Sequence, residues 1–146
     1  MNPNKVYLTQ TDTTVGFLSQ DKTKLNKIKN RPLNRPVLRE VDSLETLKNF
    51  IRVPKKHKNR IRRAEKTTFI FPNGESFRVV KDERHLGFLR KFKWMYSTSA
   101  NEHGKTFDEK WAKNQADIIV EDKRGLFEGK ASRIYKLGKS KIKKIR

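Results

Sequence analysis

Apolar residues in this chain come in short runs, and their spacing alternates between the period of a strand and that of a helix. Lys5-Val6-Tyr7-Leu8-Thr9 predicts a first strand. Asp21 stands where it can cap a helix that carries Leu25 and Ile28 on one face and stops before Pro32. Val37-Leu38 continues as a strand. Leu44, Leu47 and Ile51 then recur at helical spacing, behind a capping box of Asp42 with Glu45, and Pro54 closes that helix. Thr67-Thr68-Phe69-Ile70-Phe71 and Ser76-Phe77-Arg78-Val79-Val80 read as two strands joined at Asn73-Gly74, a strong hairpin-turn signal. Asp82 opens a helix with Leu86, Leu89 and Phe92 inward, and Trp94-Met95-Tyr96 follows as a strand. Thr106 with Glu109 forms a further capping box ahead of a face made by Phe107 and Trp111. Residues 116–120 and 132–137 predict two more strands.

Interleaved strands and helices with a hairpin among them predict a mixed α/β (α+β) fold. Its expected form is one domain over residues 1–138, an open twisted sheet with antiparallel and mixed pairing, flanked by helices. Residues 139–146 read as a basic, mobile tail.

Between these elements lie stretches whose polarity fits neither period. Residues 10–14 place three hydroxyls and a carboxylate within five positions at a strand end, which suits either a turn or a site. Lys29-Asn30-Arg31-Pro32-Leu33-Asn34-Arg35-Pro36 displays cations on a segment stiffened by two prolines, the rigid presentation that lowers the cost of gripping phosphate; a solvated loop has the same composition. Ser97-Thr98-Ser99-Ala100-Asn101 reads as a loop at the carboxyl end of a buried strand, where ligands gather in open sheets. Arg78 is a lone cation among β-branched neighbours, on a wet face or in a cleft.

Composition adds a partner. The chain has 146 residues with 36 Lys and Arg against 16 Asp and Glu, a formal net charge of +20, and a charged fraction of 36% beside 34% apolar. An excess of this size points to a polyanion. It is densest at residues 55–63, where Lys55, Lys56, Lys58, Arg60, Arg62 and Arg63 leave so little apolar surface that the stretch is expected outside the core, as a strip contacting RNA phosphates or as a solvated face. The absence of cysteine excludes disulfides and thiolate chemistry. The three histidines, His57, His85 and His103, have no HxxxH spacing, which argues against a metal site. No apolar run has the length of a membrane span or the form of a signal peptide, so a soluble, cytoplasmic protein is expected.

In order along the chain, these motifs resemble those of the YrdC-like family, which includes threonylcarbamoyl-AMP synthases and double-stranded RNA binding. Gln10-Thr11-Asp12-Thr13-Thr14-Val15-Gly16-Phe17 is similar to the family's Pro-Thr-Asp/Glu-Thr-x-x-Gly-Leu opening. Lys29-Asn30-Arg31-Pro32 with Pro36 matches its Lys-x-Arg-Pro segment, and Phe77-Arg78-Val79-Val80 resembles its Val-Arg-x-Pro strand. Ser97-Thr98-Ser99-Ala100-Asn101 carries its Ser-Thr-Ser-Ala-Asn signature unaltered. Ala131-Ser132-Arg133-Ile134-Tyr135 is similar to its closing Pro-Ser-Thr strand.

The resemblance implies a nucleotidyltransferase that joins L-threonine, bicarbonate and ATP into threonylcarbamoyl-AMP and pyrophosphate, for modification of tRNA. A magnesium ion would accompany the ATP phosphates, and partner proteins could complete the transfer. Lys29 and Arg31 would hold the triphosphate and the substrate carboxylate, with Ser97, Ser99 and Asn101 bonding phosphate or carbamate. Thr11 and Thr13 would meet substrate, Arg78 would add positive charge, and Ser132 would lie at the rim. A non-catalytic RNA-binding member, serving tRNA, ribosomal RNA or double-stranded RNA, is the other implication. The departures are Gln10 and Ala131 in place of prolines, which leaves both loops less constrained. Arg63-Ala64-Glu65-Lys66 stands where the family has Trp-Pro-Gly-Pro, and the C-terminal glycine-rich segments are shortened.

Overall fold

A computed structural model describes residues 1–146. The fold is mixed α/β as expected, and the chain gathers into two compact units, Met1–Val37 with Met95–Ala131, and Leu38–Trp94 with Ser132–Arg146.

In the first unit, strands β1 (Tyr7–Gln10) and β2 (Val15–Ser19) form an antiparallel hairpin. Helix α1 (Lys22–Ile28) follows, capped as predicted by Asp21, whose carboxylate accepts from the Thr23 and Lys24 amides. The sheet order is β7-β1-β2-β6, with β6 (Trp94–Ser99) antiparallel to β2 and β7 (Ile118–Val120) parallel to β1. Val6, Leu8, Val15, Phe17, Leu25, Ala100 and Ala112 make the core, and Trp111 meets Phe17 in a T-shaped contact at 5.9 Å between ring centres.

In the second unit, where β8 is Arg133–Leu137 and β9 is Ile142–Lys144, the order is β3-β5-β4-β8-β9. Strands β3 (Leu38–Val41), β4 (Thr67–Ile70) and β5 (Ser76–Val79) include the predicted hairpin, turned at Gly74 with φ +88°. Helices α2 (Leu44–Lys48), α3 (Lys58–Arg63) and α4 (Glu83–Leu89) flank the sheet's sequence. Val41, Leu47, Ile61, Phe69, Phe71, Phe77 and Leu137 form its core. No helix is long and apolar enough to cross a membrane.

Several expectations need correction. Ser43, not Asp42, caps α2 and accepts from the Thr46 amide, because Asp42 Oδ1 instead accepts from the Ser43 and Thr46 hydroxyls. Likewise Asp108, not Thr106, caps α5 (Glu109–Gln115). Residues 97–99 are strand, not loop: Ser97, Thr98 and Ser99 lie in register with Leu18, Phe17 and Gly16 on β2. The stretch at 55–63 does reach the core. Its one aliphatic residue, Ile61, and its one imidazole, His57, are both buried, the latter bonded through Nε2 to the Gly138 carbonyl oxygen at 3.1 Å. Finally, the tail is structured: β8 (Arg133–Leu137) turns into β9 (Ile142–Lys144), an antiparallel pair that satisfies backbone groups a free tail would leave to water.

Candidate active site

The first unit holds seven of the residues that the motifs singled out: Thr11, Thr13, Lys29, Arg31, Ser97, Ser99 and Asn101. Asn26, fully buried on α1, donates from its amide to the carbonyls of Leu33 and Arg35, and Arg31 N bonds to Asn26 O. Asn30 adopts a left-handed φ of +55°, which turns the chain out of the helix. This local framework, not the prolines alone, sets the directions of Lys29 and Arg31.

Lys29 is buried, and its ammonium donates to Ser99 O at 3.0 Å, to Asn101 Oδ1 at 3.1 Å and to Asn101 O. An ammonium has three N–H donors, so all of them are engaged. Burial, and secondarily the neighbouring Arg31, lowers its pKa from the ordinary lysine value of 10.5 to about 8. Arg31 Nη2 donates to Thr98 Oγ1 at 2.6 Å. Its proton affinity is lowered by burial and by Arg35, a second cation on the same segment. Lys29 therefore fixes the end of β6, while Arg31 keeps guanidinium donors beyond the one used on Thr98.

The turn between β1 and β2 lies in the same unit. Thr11 Oγ1 donates to Thr14 O at 2.6 Å and accepts from Thr13 N at 3.1 Å, so the buried Thr11 hydroxyl closes its own turn; Thr13 Oγ1 is 3.3 Å from it. Gln10, expected to loosen this loop in place of proline, tethers it: Gln10 Oε1 accepts from Phe127 N at 2.9 Å. Arg124 donates to Thr11 O and Gln10 O at 3.3 and 3.4 Å, and the carboxylate of Asp122 orients it. A Cβ built on Gly129 would lie 2.1 Å from Thr13 O, and Gly129 N donates to Thr14 Oγ1 at 3.0 Å. Glycine is required there by close approach of two backbones.

These contacts shape a cavity of about 240 Å³ lined by Thr14, Ser99, Asn101, Phe107, Glu128 and Gly129, among others. Glu128 Oε2 accepts from Phe107 N at 3.1 Å, which aligns the carboxylate at the wall. Hydroxyl, amide and carboxylate groups converge here on a space smaller than the roughly 300–1,000 Å³ usual for drug-sized ligands, a fit for a small polar molecule.

Arg78 and Ser132 belong to the second unit. Arg78 is buried and paired with Glu40 at 3.1 Å, and Glu40 also contacts His85 Nε2. Arg78, expected on a wet face or adding charge to a cleft, is thus paired with a buried carboxylate inside that unit. Ser132 is buried too, 2.9 Å from Thr68 Oγ1, with its carbonyl accepting from Arg146 Nε. Lys55, Lys56, Arg60, Arg62 and Arg63 are exposed and Lys58 half-buried, as a solvent-facing strip demands.

No family model matches the chain, and no curated protein matches it by sequence. Solved structures do. The crystal structure of P. abyssi Sua5 complexed with L-threonine superimposes with a TM-score of 0.80 at 18% identity, over 97% of this chain and 50% of that one. E. coli YciO gives 0.72 at 17% identity, over 98% of this chain and 82% of its own. T. kodakarensis HypF gives 0.76 at 15%, with 98% and 22% coverage. The fold is YrdC-like. The chain spans about half the length of the Sua5 chains it matches.

Within this YrdC-like fold, sequence reasoning missed Asn26, Arg124, Glu128 and Gly129. A buried Asn at the end of a helix gives no signal without its partners. Arg124 and Glu128 sit in a charged, glycine-flanked segment that reads as an ordinary loop. Gly129 could have been flagged as a candidate close-approach position, but nothing in the sequence pairs it with Thr13.

Proposed function

We propose that this chain catalyses formation of threonylcarbamoyl-AMP and pyrophosphate from L-threonine, bicarbonate and ATP, supplying the activated carbamoyl group for tRNA modification. The observation that carries the proposal is the assembly of Lys29 and Arg31 on the Thr98, Ser99 and Asn101 groups beside a small polar cavity. Sua5, a structural neighbour, has been crystallised with L-threonine.

The reaction needs positioning and charge neutralisation, not a nucleophilic side chain. Bicarbonate gives up hydroxide to release carbon dioxide, the neutral threonine amine adds to it, and the amine proton leaves with the hydroxide as water, so that a carbamate remains. A carbamate oxygen then attacks the α-phosphorus of ATP, and pyrophosphate leaves with the bond electrons. The cavity suits the amino acid: the Ser99 and Thr14 hydroxyls offer hydrogen bonds to hydroxyl and carboxylate, and Glu128 offers an acceptor for the amine, while the Asn101 amide is held by Lys29, Glu102 and Lys105 and shapes the wall. Arg31 and Arg35 provide the phosphate grip. Lys29 acts as a positioning residue, since its donors hold Ser99 and Asn101 in place. Magnesium would be held mainly by ATP phosphates and water, supplying neutralisation of phosphate charge. Thr11 and Thr13 shape the site from the turn.

The second reading is a non-catalytic YrdC-like protein that binds RNA. One observation favours it: Leu38–Trp94 with Ser132–Arg146 carries 23 Lys and Arg against seven Asp and Glu, +16 of the chain's +20. One assay separates the two. Purified protein is incubated with ATP, bicarbonate and magnesium, and pyrophosphate is measured with and without threonine. Threonine-dependent release is expected; nucleotide binding with no release would overturn the enzyme reading.

A further inference from the structure

On the second unit, three cations surround a recess that no step above uses. The recess, of about 410 Å³, is lined by Lys48 at the end of α2, Ile51, Arg52 and Val53 in the connection, and Lys58 at the start of α3. Ile51 and Val53 are half-buried and pack against the core through one side, so they make an apolar floor. Lys48 and Lys58 approach closely enough that Lys48 is the largest cause lowering the proton affinity of Lys58, with Arg62 adding to it and Glu45 opposing. Glu45 lies 3.5 Å from Lys48 and is itself exposed. Two ammonium groups side by side repel unless an anion lies between them, and one exposed carboxylate screens them weakly.

We infer that this recess is a nucleotide-binding site, taking a phosphate group between Lys48, Arg52 and Lys58 and the face of a base or ribose on Ile51 and Val53. The ligand is a free nucleotide or a single nucleotide unit of an RNA strand. Ammonium and guanidinium donors match phosphate oxygens, and burying an apolar ring face on Ile51 and Val53 distinguishes a nucleotide from a bare anion. The site stands whether or not the cavity of the first unit is catalytic.

The test is amide-resolved NMR titration of the full chain with inorganic phosphate, AMP and a short single-stranded RNA. Within the second unit, shifts confined to residues 48–58 with AMP, weaker with phosphate, are expected; shifts at residues 29–35 and 97–101 belong to the proposed ATP site of the first unit and are read separately. Lys48→Gln and Lys58→Gln should each weaken AMP about tenfold, the scale of one charge-assisted hydrogen bond. Val53→Ser should weaken AMP but not phosphate, a readout that charge loss alone does not give; melting curves confirm that each variant folds. Binding of both AMP and RNA, or of RNA alone with shifts centred on the recess, supports the site and names its source. Shifts scattered over all exposed cations, or equal losses from Lys48→Gln and from Lys91→Gln outside the recess, would overturn it. Threonine-dependent turnover is scored separately, so its failure leaves this result readable.

Discussion

Gly129 packs so tightly on Thr13 that an added Cβ would sit 2.1 Å from the Thr13 carbonyl oxygen. Backbone lies on both sides of that contact, so no flexible side chain can yield. Gly129→Ala is expected to push residues 11–14 away from the 128–131 segment and widen the cavity. The cost should be about 1–3 kcal/mol, as for other overpacked contacts, read from chemical denaturation. Threonine affinity should fall with it, measured by calorimetry. An alanine variant with unchanged stability and threonine binding would show that the loop contact does not shape the site.

Lys29 makes a pH prediction. Its folded pKa, about 8, is below its ordinary 10.5, so between those values the folded chain binds fewer protons than the unfolded chain. Stability from this group therefore rises with pH across that window, and the burden of a buried charge is fully present below it. Denaturation at pH 7.5, 9 and 10 should show this component in the wild type and its loss in Lys29→Met. Arg31→Ala removes a neighbouring cation and should raise the Lys29 pKa, visible in side-chain NMR. An unchanged value would make burial the whole cause.

The strands and caps at Asp21 and Asp82 were legible because alternation and capping are local signals, and Asn73-Gly74 fixed a hairpin for the same reason. The grouping of Lys29 and Arg31 with residues 97–101 came from motif resemblance, and its geometry followed. What stayed hidden depends on distant partners. Nothing around Arg78 reveals that Glu40 pairs with it, nor does the basic sequence at 139–146 reveal β9, because strand pairing with β8 is a tertiary choice. Ile61 was overlooked for the opposite reason: one aliphatic residue among cations is enough to seat a short helix.

Glu40 joins Arg78 and His85 in a buried group. Glu40→Gln removes the carboxylate charge that pairs with the buried Arg78 guanidinium and should cost about 3–5 kcal/mol. Arg78→Met in that background removes the buried cation as well and should recover part of the loss. A double variant no more stable than Glu40→Gln would mean that the pair acts through packing and not through charge.

Arg31 and the exposed strip at 55–63 should separate by phenotype. Arg31 donates to Thr98 in the unit that holds the cavity, so if it is the proposed phosphate ligand Arg31→Ala should abolish threonine-dependent pyrophosphate release. It takes away one cation of 36, and RNA affinity should stay nearly intact. Arg60, Arg62 and Arg63 are exposed and belong to the other unit. Each arginine that neutralises a phosphate contributes close to one unit to the slope of log affinity against log salt, so replacing all three with glutamine should flatten that slope by about 2–3. Fluorescence anisotropy at several salt concentrations reads the slope directly. If Arg31→Ala flattened it equally, or if the triple variant left it unchanged, RNA would be held by a surface other than the strip.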